Sequence, residues 1–197
     1  MEILGVITAR GGSRRVPRKN ARLLCGKPLI VYTIEAAQRS KLLTRLILSS
    51  DDDEIIQIAR DYGVEVPFVR PAYLATQTAL SVEVLIHAAK FLENKEGYKP
   101  DIVTILEPTS PLRTAEDIDN TLRLHGTGND SAVCIMGGIY SVKRSVLYEE
   151  GLYGKYVAHY DLPPERSIDI NTHHDFELAT LLMRRNAVSS DKLRNKR

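Results

Sequence analysis

Ala9-Arg10-Gly11-Gly12-Ser13-Arg14-Arg15-Val16-Pro17-Arg18-Lys19-Asn20 decides how the rest of this chain is read. An apolar run, Ile3-Leu4-Gly5-Val6-Ile7, leads straight into it and predicts a buried first strand. Paired glycines allow a sharp turn and bring backbone N–H groups close to a ligand with no Cβ in the way. Ser13 adds a hydroxyl donor, and Arg10, Arg14, Arg15, Arg18 and Lys19 add cations. Pro17 stiffens the loop and so lowers the entropy lost on closure. A rigid, cationic, donor-rich loop at the end of a first parallel strand suits a triphosphate better than it suits a merely solvated turn. Neither common phosphate motif is present. Gly26-Lys27 is followed by Pro28 rather than Ser or Thr, and no Gly-x-Gly-x-x-Gly occurs, so ATPase and dehydrogenase readings lose their main support.

At 197 residues the chain is expected to form one domain over 1–188, with a frayed basic tail over 189–197. Hydrophobic residues make up 43% and charged residues 26%, as in ordinary globular proteins. A net charge of +2 gives no support to nucleic-acid binding, and the Arg14–Arg22 cluster lacks the aromatic residues that would stack bases. Cys25 and Cys134 are too far apart to suggest a metal site, and no signal pattern or membrane-length apolar run is seen, so a cytoplasmic protein is expected.

Downstream, apolar runs and helical patterns alternate. A helix is predicted over Pro28–Ala37, a strand over Leu46–Ser50, and a helix from the acidic run Asp51–Glu54 to about Tyr62, the acids serving as caps rather than metal ligands. Val64–Val69 is predicted as a strand and Ala79–Glu93 as a helix whose face carries Val82, Leu85, Ile86, Ala89 and Leu92. Ile102–Leu106 is a buried strand, Asp117–Leu124 a helix, Ser131–Met136 a strand, and Gly137–Val142 a hairpin or short strand. A last helix is expected from about His174 to Arg185, with Thr172 as N-cap and Asp175 completing a capping box. The alternation argues for βαβ units and a mostly parallel sheet covered on both faces. In such sheets ligands sit beyond the C-terminal strand ends, where the loops at Arg10, Ser49, Arg70 and Glu107 emerge.

Ala-Arg-Gly-Gly-Ser, a basic residue, then Pro with Lys-Asn after it resembles the signature of the acylneuraminate cytidylyltransferases, the CMP-sialic acid synthetases. The resemblance continues in order through Arg70-Pro71-Ala72-Tyr73-Leu74-Ala75, Leu106-Glu107-Pro108-Thr109-Ser110-Pro111-Leu112-Arg113 and Ser167-Ile168-Asp169-Ile170-Asn171-Thr172. It implies a three-layer, Rossmann-like nucleotidyltransferase fold with a mostly parallel, mixed sheet. It also implies transfer of CMP from CTP to an α-keto sugar acid, with release of pyrophosphate. Carried over by position, Ala9, Arg10, Gly11, Gly12, Ser13, Arg14 and Asn20 would bind the nucleotide, with Arg10 and Lys19 catalytic. Arg70, Ala79 and Ser81 would hold the cytidine, and Glu107, Thr109 and Ser110 the sugar acid. Asp169 and Asn171 would carry Mg²⁺, and on a strand their side chains would share one side. His173-His174 lacks zinc-ligand spacing and is read as surface.

The chain departs from the family pattern at Arg15 (usually glycine), Gln77 (usually aspartate), Glu107 (usually glutamine) and Asn171 (usually aspartate). A segment with an Arg-Gln-Asp-x-Pro-like stretch, which in the family forms part of the dimer arm, is missing between Met136 and Gly137. The resemblance implies a homodimer, but the missing segment removes part of its basis here. The alternatives are a nucleotide-binding homologue with little turnover and a cytidylyltransferase for a Kdo-like acid.

Overall fold

Ile3–Thr8 (β1) lies inside a sheet because its side chains are apolar in both directions. Ile3 and Ile7 pack with one core, Leu4 and Val6 with another. The computed structural model describes residues 1–194, with side chains described as far as 185. β1 pairs in parallel with Arg45–Ser49 (β4) on one side and Ile102–Leu106 (β5) on the other. Leu23–Leu24 (β2) and Lys27–Pro28 (β3) form a separate small hairpin. Beyond β5 the sheet continues through Ile139–Lys143 (β7), Ser131–Cys134 (β6) and Val157–His159 (β8), in the order β4-β1-β5-β7-β6-β8. Only β7 runs against the rest, being antiparallel to both β5 and β6. The expected mixed, mostly parallel sheet is thus present.

Helices cover both faces. Leu29–Gln38 (α1), Asp53–Asp61 (α2) and Ala115–Arg123 (α4) pack on the Ile3, Ile7 and Leu106 face. Ser81–Glu96 (α3) and Arg144–Glu149 (α5) cover the Leu4, Val6 and Val103 face. His173–Arg194 (α6) helps to enclose a third, smaller core of Val16, Leu24, Leu29, Ile168, Ile170 and Phe176. That core ties the loop after β1 to the segment before α6. Caps explain where several helices start. Asp52 accepts from the Ile55 N–H at 3.1 Å, and reciprocal boxes join Thr114 to Asp117 and Thr172 to Asp175.

Several boundaries differ from expectation. Val64–Val69 is not a strand: it makes one bridge, Ile47 to Glu65, and Pro67 has no N–H with which to extend a ladder. Pro28 is the N-cap of α1 rather than its first residue, and α3 begins at Ser81. The buried face of α3 is Val84, Leu85, Ala88, Ala89 and Leu92, with Val82 and Ile86 only half-buried. α4 starts at Ala115, and β6 stops at Cys134, where Ile135–Gly137 tightens into a 3₁₀ turn. α5 and β8 were not anticipated. α6 runs to Arg194 instead of ending near Arg185. The end of the tail expected to fray, 195–197, lies outside the described residues.

His125 joins a polar seam in the sheet. Its Nε2 lies 2.8 Å from Ser141 Oγ, to which Thr104 Oγ1 donates at 3.1 Å. Burial holds the imidazole below its usual 6.5, a smaller push from Lys143 acting the same way and Asn129 and Asp130 opposing it. As pH falls through that value, the unfolded chain takes up a proton before the folded chain does, so stability is lost on the acid side. The urea midpoint should therefore drop between about pH 7.5 and about pH 5.5, and His125→Gln should flatten that drop. An equal drop in the variant would assign the acid sensitivity to other groups.

Candidate functional site

The C-terminal ends of β1 and β5 open on a cavity of about 650 Å³. It is walled by the loop after β1, the segment from Arg70 to Ser81, the turn at Glu107–Thr109, and Asp169 with Asn171. The four quoted stretches therefore meet in space, as expected of strand-end loops.

The loop after β1 is built differently from its sequence reading. Neither Gly11 nor Gly12 has a positive φ; the left-handed residue is Arg18, at φ 56°. Gly11 is required by a close approach, since a Cβ there would lie 2.5 Å from Asp52 Oδ2. Its N–H donates to Asp51 Oδ1 at 3.1 Å and not toward the cavity. Ala9 is buried and donates to Ser49 O at 3.1 Å. Ala9, Gly11 and Gly12 thus frame the loop without lining the cavity. Arg18 is drawn away from it by ion pairs to Asp52 and Glu54. The acidic run at 51–54 thereby serves as helix cap and loop anchor together.

Arg10, Ser13, Arg14 and Arg15 do line the cavity. Arg10 Nη1 is steadied by Thr76 O at 2.7 Å, and Asn20 Nδ2 donates to Arg10 O at 3.1 Å. That bond leaves Asn20 Oδ1 buried and without a partner, an acceptor to which a ligand donor could bond. Arg70 is buried and pinned, its Nε donating to Ser49 Oγ at 3.0 Å and its Nη2 to Ser49 O at 2.5 Å. Burial lowers its pKa to about 10, Asp51 opposing this and Arg10 adding to it. Ala79 and Ser81 also line the cavity, as do Gln77 and Thr76.

The cavity lining also includes Lys19, Glu107 and Asp169. Lys19 Nζ donates to Ile170 O at 2.6 Å. Burial lowers the pKa of this ammonium, while Asp169 and Glu107 pull it back up. Burial raises the Glu107 pKa, with Asp169 adding to the rise and Arg113 and Lys19 opposing it. Thr109 lines the cavity, whereas Ser110 lies behind it, its Oγ buried and unpartnered. Ser167–Asn171 is a loop and not a strand, so the shared side expected of Asp169 and Asn171 arises from local bonding. Asn171 Nδ2 donates to Asp169 Oδ2 at 2.6 Å, and Asp169 Oδ1 is buried without a partner. The loop is held by Ile170 N donating to Thr109 O at 2.8 Å and by Arg166 paired with the buried Asp117 at 2.6 Å. His173 and His174 are exposed, and among the described residues no three His, Cys, Asp or Glu side chains form a metal-binding group.

Arg15, Gln77 and Thr76 line the cavity without having been assigned a role. Arg15 was visible as a cation in the loop, and Thr76 carried no signal of its own. Arg113, quoted only as the end of a motif, proves to be the buried support beneath Glu107. It donates to the carbonyls of Gly137 and Gly138 and, at 2.7 Å, to Thr33 Oγ1.

Residues 4–189 match the family model described as cytidylyltransferase. The chain belongs to the cytidylyltransferase family. It is 39% identical over 135 residues to the CMP-N,N'-diacetyllegionaminic acid synthase of Legionella pneumophila, a match covering 68% of this chain and 58% of that protein. It is 28% identical over 238 residues to the N-acylneuraminate cytidylyltransferase of Escherichia coli O18:K1:H7, covering 98% of this chain and 55% of that one. The chain spans about half the length of the curated relatives it matches. A solved CMP:2-keto-3-deoxy-manno-octonic acid synthetase, complexed with CTP, superposes with a TM-score of 0.72 at 15% identity, over 94% of this chain and 100% of that one. The chain therefore shares the nucleotidyltransferase fold, and among its described residues no helix is long and apolar enough to cross a membrane.

Proposed function

We propose that this cytidylyltransferase transfers CMP from CTP to an α-keto sugar acid of the nonulosonic class and releases pyrophosphate. The observation that carries this reading is the meeting of cations and carboxylates in the cavity described above. Arg10, Arg14, Arg15 and Lys19 line it together with Glu107 and Asp169, and Lys19 feels the charge of Arg10 and Arg15 as well as that of both carboxylates. The arginines suit the β- and γ-phosphates, whose charge grows as pyrophosphate departs. Asn20, Arg70, Ala79 and Ser81 would receive the cytidine, with the unpartnered Asn20 Oδ1 available to a donor on base or ribose. Glu107 and Thr109 would face the incoming acid, with Ser110 supporting that turn from behind. A hydroxyl of the acid would attack the α-phosphorus as the bond to pyrophosphate breaks, and the protein's main work would be to align the two.

The unpartnered buried oxygen of Asp169 fits a hard cation. Asp169, with Asn171 beside it, would hold Mg²⁺, which when bound would offset phosphate charge. Pyrophosphate release from CTP should appear with one member of a panel of sialic, legionaminic, pseudaminic and Kdo-type acids, and should be lost in Arg10→Ala. Saturable CTP binding with no release from any of the acids would replace this reading with that of a nucleotide-binding homologue. Release with a Kdo-type acid alone would move the substrate outside the nonulosonic class.

A further inference from the structure

We infer that the second anionic ligand for the divalent cation in this chain is Glu107, and that Asn171 is a positioning residue for Asp169. The inference rests on the proposed CTP chemistry and concerns where the charge opposite the cation resides.

The argument begins with Asp169. One of its oxygens is taken by the Asn171 amide at 2.6 Å, and the other is buried with nothing to bond. A carboxylate oxygen in that state carries a desolvation cost that a cation can remove. The Asn171 bond also fixes which oxygen is left open, since an amide nitrogen can only donate. Asn171 itself is neutral and exposed, so it can supply orientation but no charge.

Mg²⁺ bound with nucleotide phosphates commonly takes one or two carboxylates and keeps several waters. Glu107 is the carboxylate placed to be the second. It sits just past the end of β5, lines the same cavity as Asp169, and feels that carboxylate's charge. Among the described residues no hydrogen bond or ion pair reaches the Glu107 carboxylate. The nearby cations are engaged elsewhere: Lys19 donates to Ile170 O, and Arg113 donates to the carbonyls of Gly137 and Gly138. Two carboxylates without a direct cationic partner thus share one wall, with Lys19 as the nearest charge common to both. A small dication satisfies both at once, where a further lysine would satisfy one.

Relative to the family pattern, the charge absent at Asn171 reappears at Glu107. The two departures are therefore coupled, and exchanging them should restore the site.

The test is the gain in CTP affinity when Mn²⁺ replaces EDTA, measured by titration calorimetry on the full chain. Wild type should show a clear gain. Glu107→Gln, which keeps the side-chain shape, should lose about tenfold or more of that gain while still binding CTP in EDTA, which also shows that it folds. Asn171→Asp should enlarge the gain, and the double variant E107Q/N171D should recover it. A wild-type gain in Glu107→Gln, or failure of the double variant to recover, would overturn the assignment while leaving the CTP reading intact. Absence of CTP binding by wild type under both conditions would overturn both.

Discussion

Lys19→Met should slow single-turnover release of pyrophosphate by about 10²–10³-fold while changing CTP affinity only a few-fold. Lys19 is the cation on the wall shared by Asp169 and Glu107, and its Nζ is held in place by Ile170 O at 2.6 Å. A charge fixed before the reaction stabilises developing negative charge without reorganising, and partial burial strengthens it. Burial lowers the pKa of this ammonium while the two carboxylates oppose that effect. Methionine keeps the apolar stem and removes the charge, which isolates the electrostatic contribution. Lys19→Arg should not restore the rate, because a planar guanidinium cannot replace a compact ammonium aimed at a single carbonyl. Equal losses in affinity and rate would instead make Lys19 a ground-state phosphate contact.

Much of the fold follows from local pattern. Ile3–Ile7 is apolar on both faces, Ile102–Leu106 is buried throughout, and Thr114, Asp52 and Thr172 cap helices as their side chains allow. The failures have physical causes. Val64–Val69 has strand-like residues, but Pro67 interrupts its ladder and only Glu65 bridges β4. α5 and β8 are short, at 6 and 3 residues, and their periodicity is too brief to register. In the site, the residues that line the cavity were legible from the loop and its companion stretches, but their directions were not. Arg18 turns outward because Asp52 and Glu54, distant in sequence, are folded against it. Gly11 is a close-approach glycine for the same reason, its neighbour Asp52 being invisible from the loop alone. Ser110 lies behind the wall because the turn from Ile135 to Gly138 packs against it, a contact that no local pattern encodes.

That turn is the basis of the second large effect. Arg113→Ala should lower stability by about 3–5 kcal/mol, measured as the unfolding free energy in urea. Arg113 is 3% exposed and joins three parts of the molecule: the Gly137 and Gly138 carbonyls, Thr33 on α1, and the Glu107 turn above it. Burial lowers its pKa to about 10, with Glu107 resisting that fall. Truncation would leave the buried Gly137 carbonyl without its donor, while Gly138 O keeps the Glu107 N–H, and would open a cavity and remove the cation beneath Glu107. Arg113→Lys should recover only part of the loss, since one ammonium cannot span donors that a guanidinium places on separate nitrogens. The turn also has little freedom to adjust. Gly138 sits at φ 57°, where a Cβ would come within 2.9 Å of Glu107 Cβ. A loss below about 1 kcal/mol in Arg113→Ala would mean that water replaces the guanidinium. If the larger loss is found, Arg113 is what allows so short a turn from β6 to β7 to serve as the floor under Glu107.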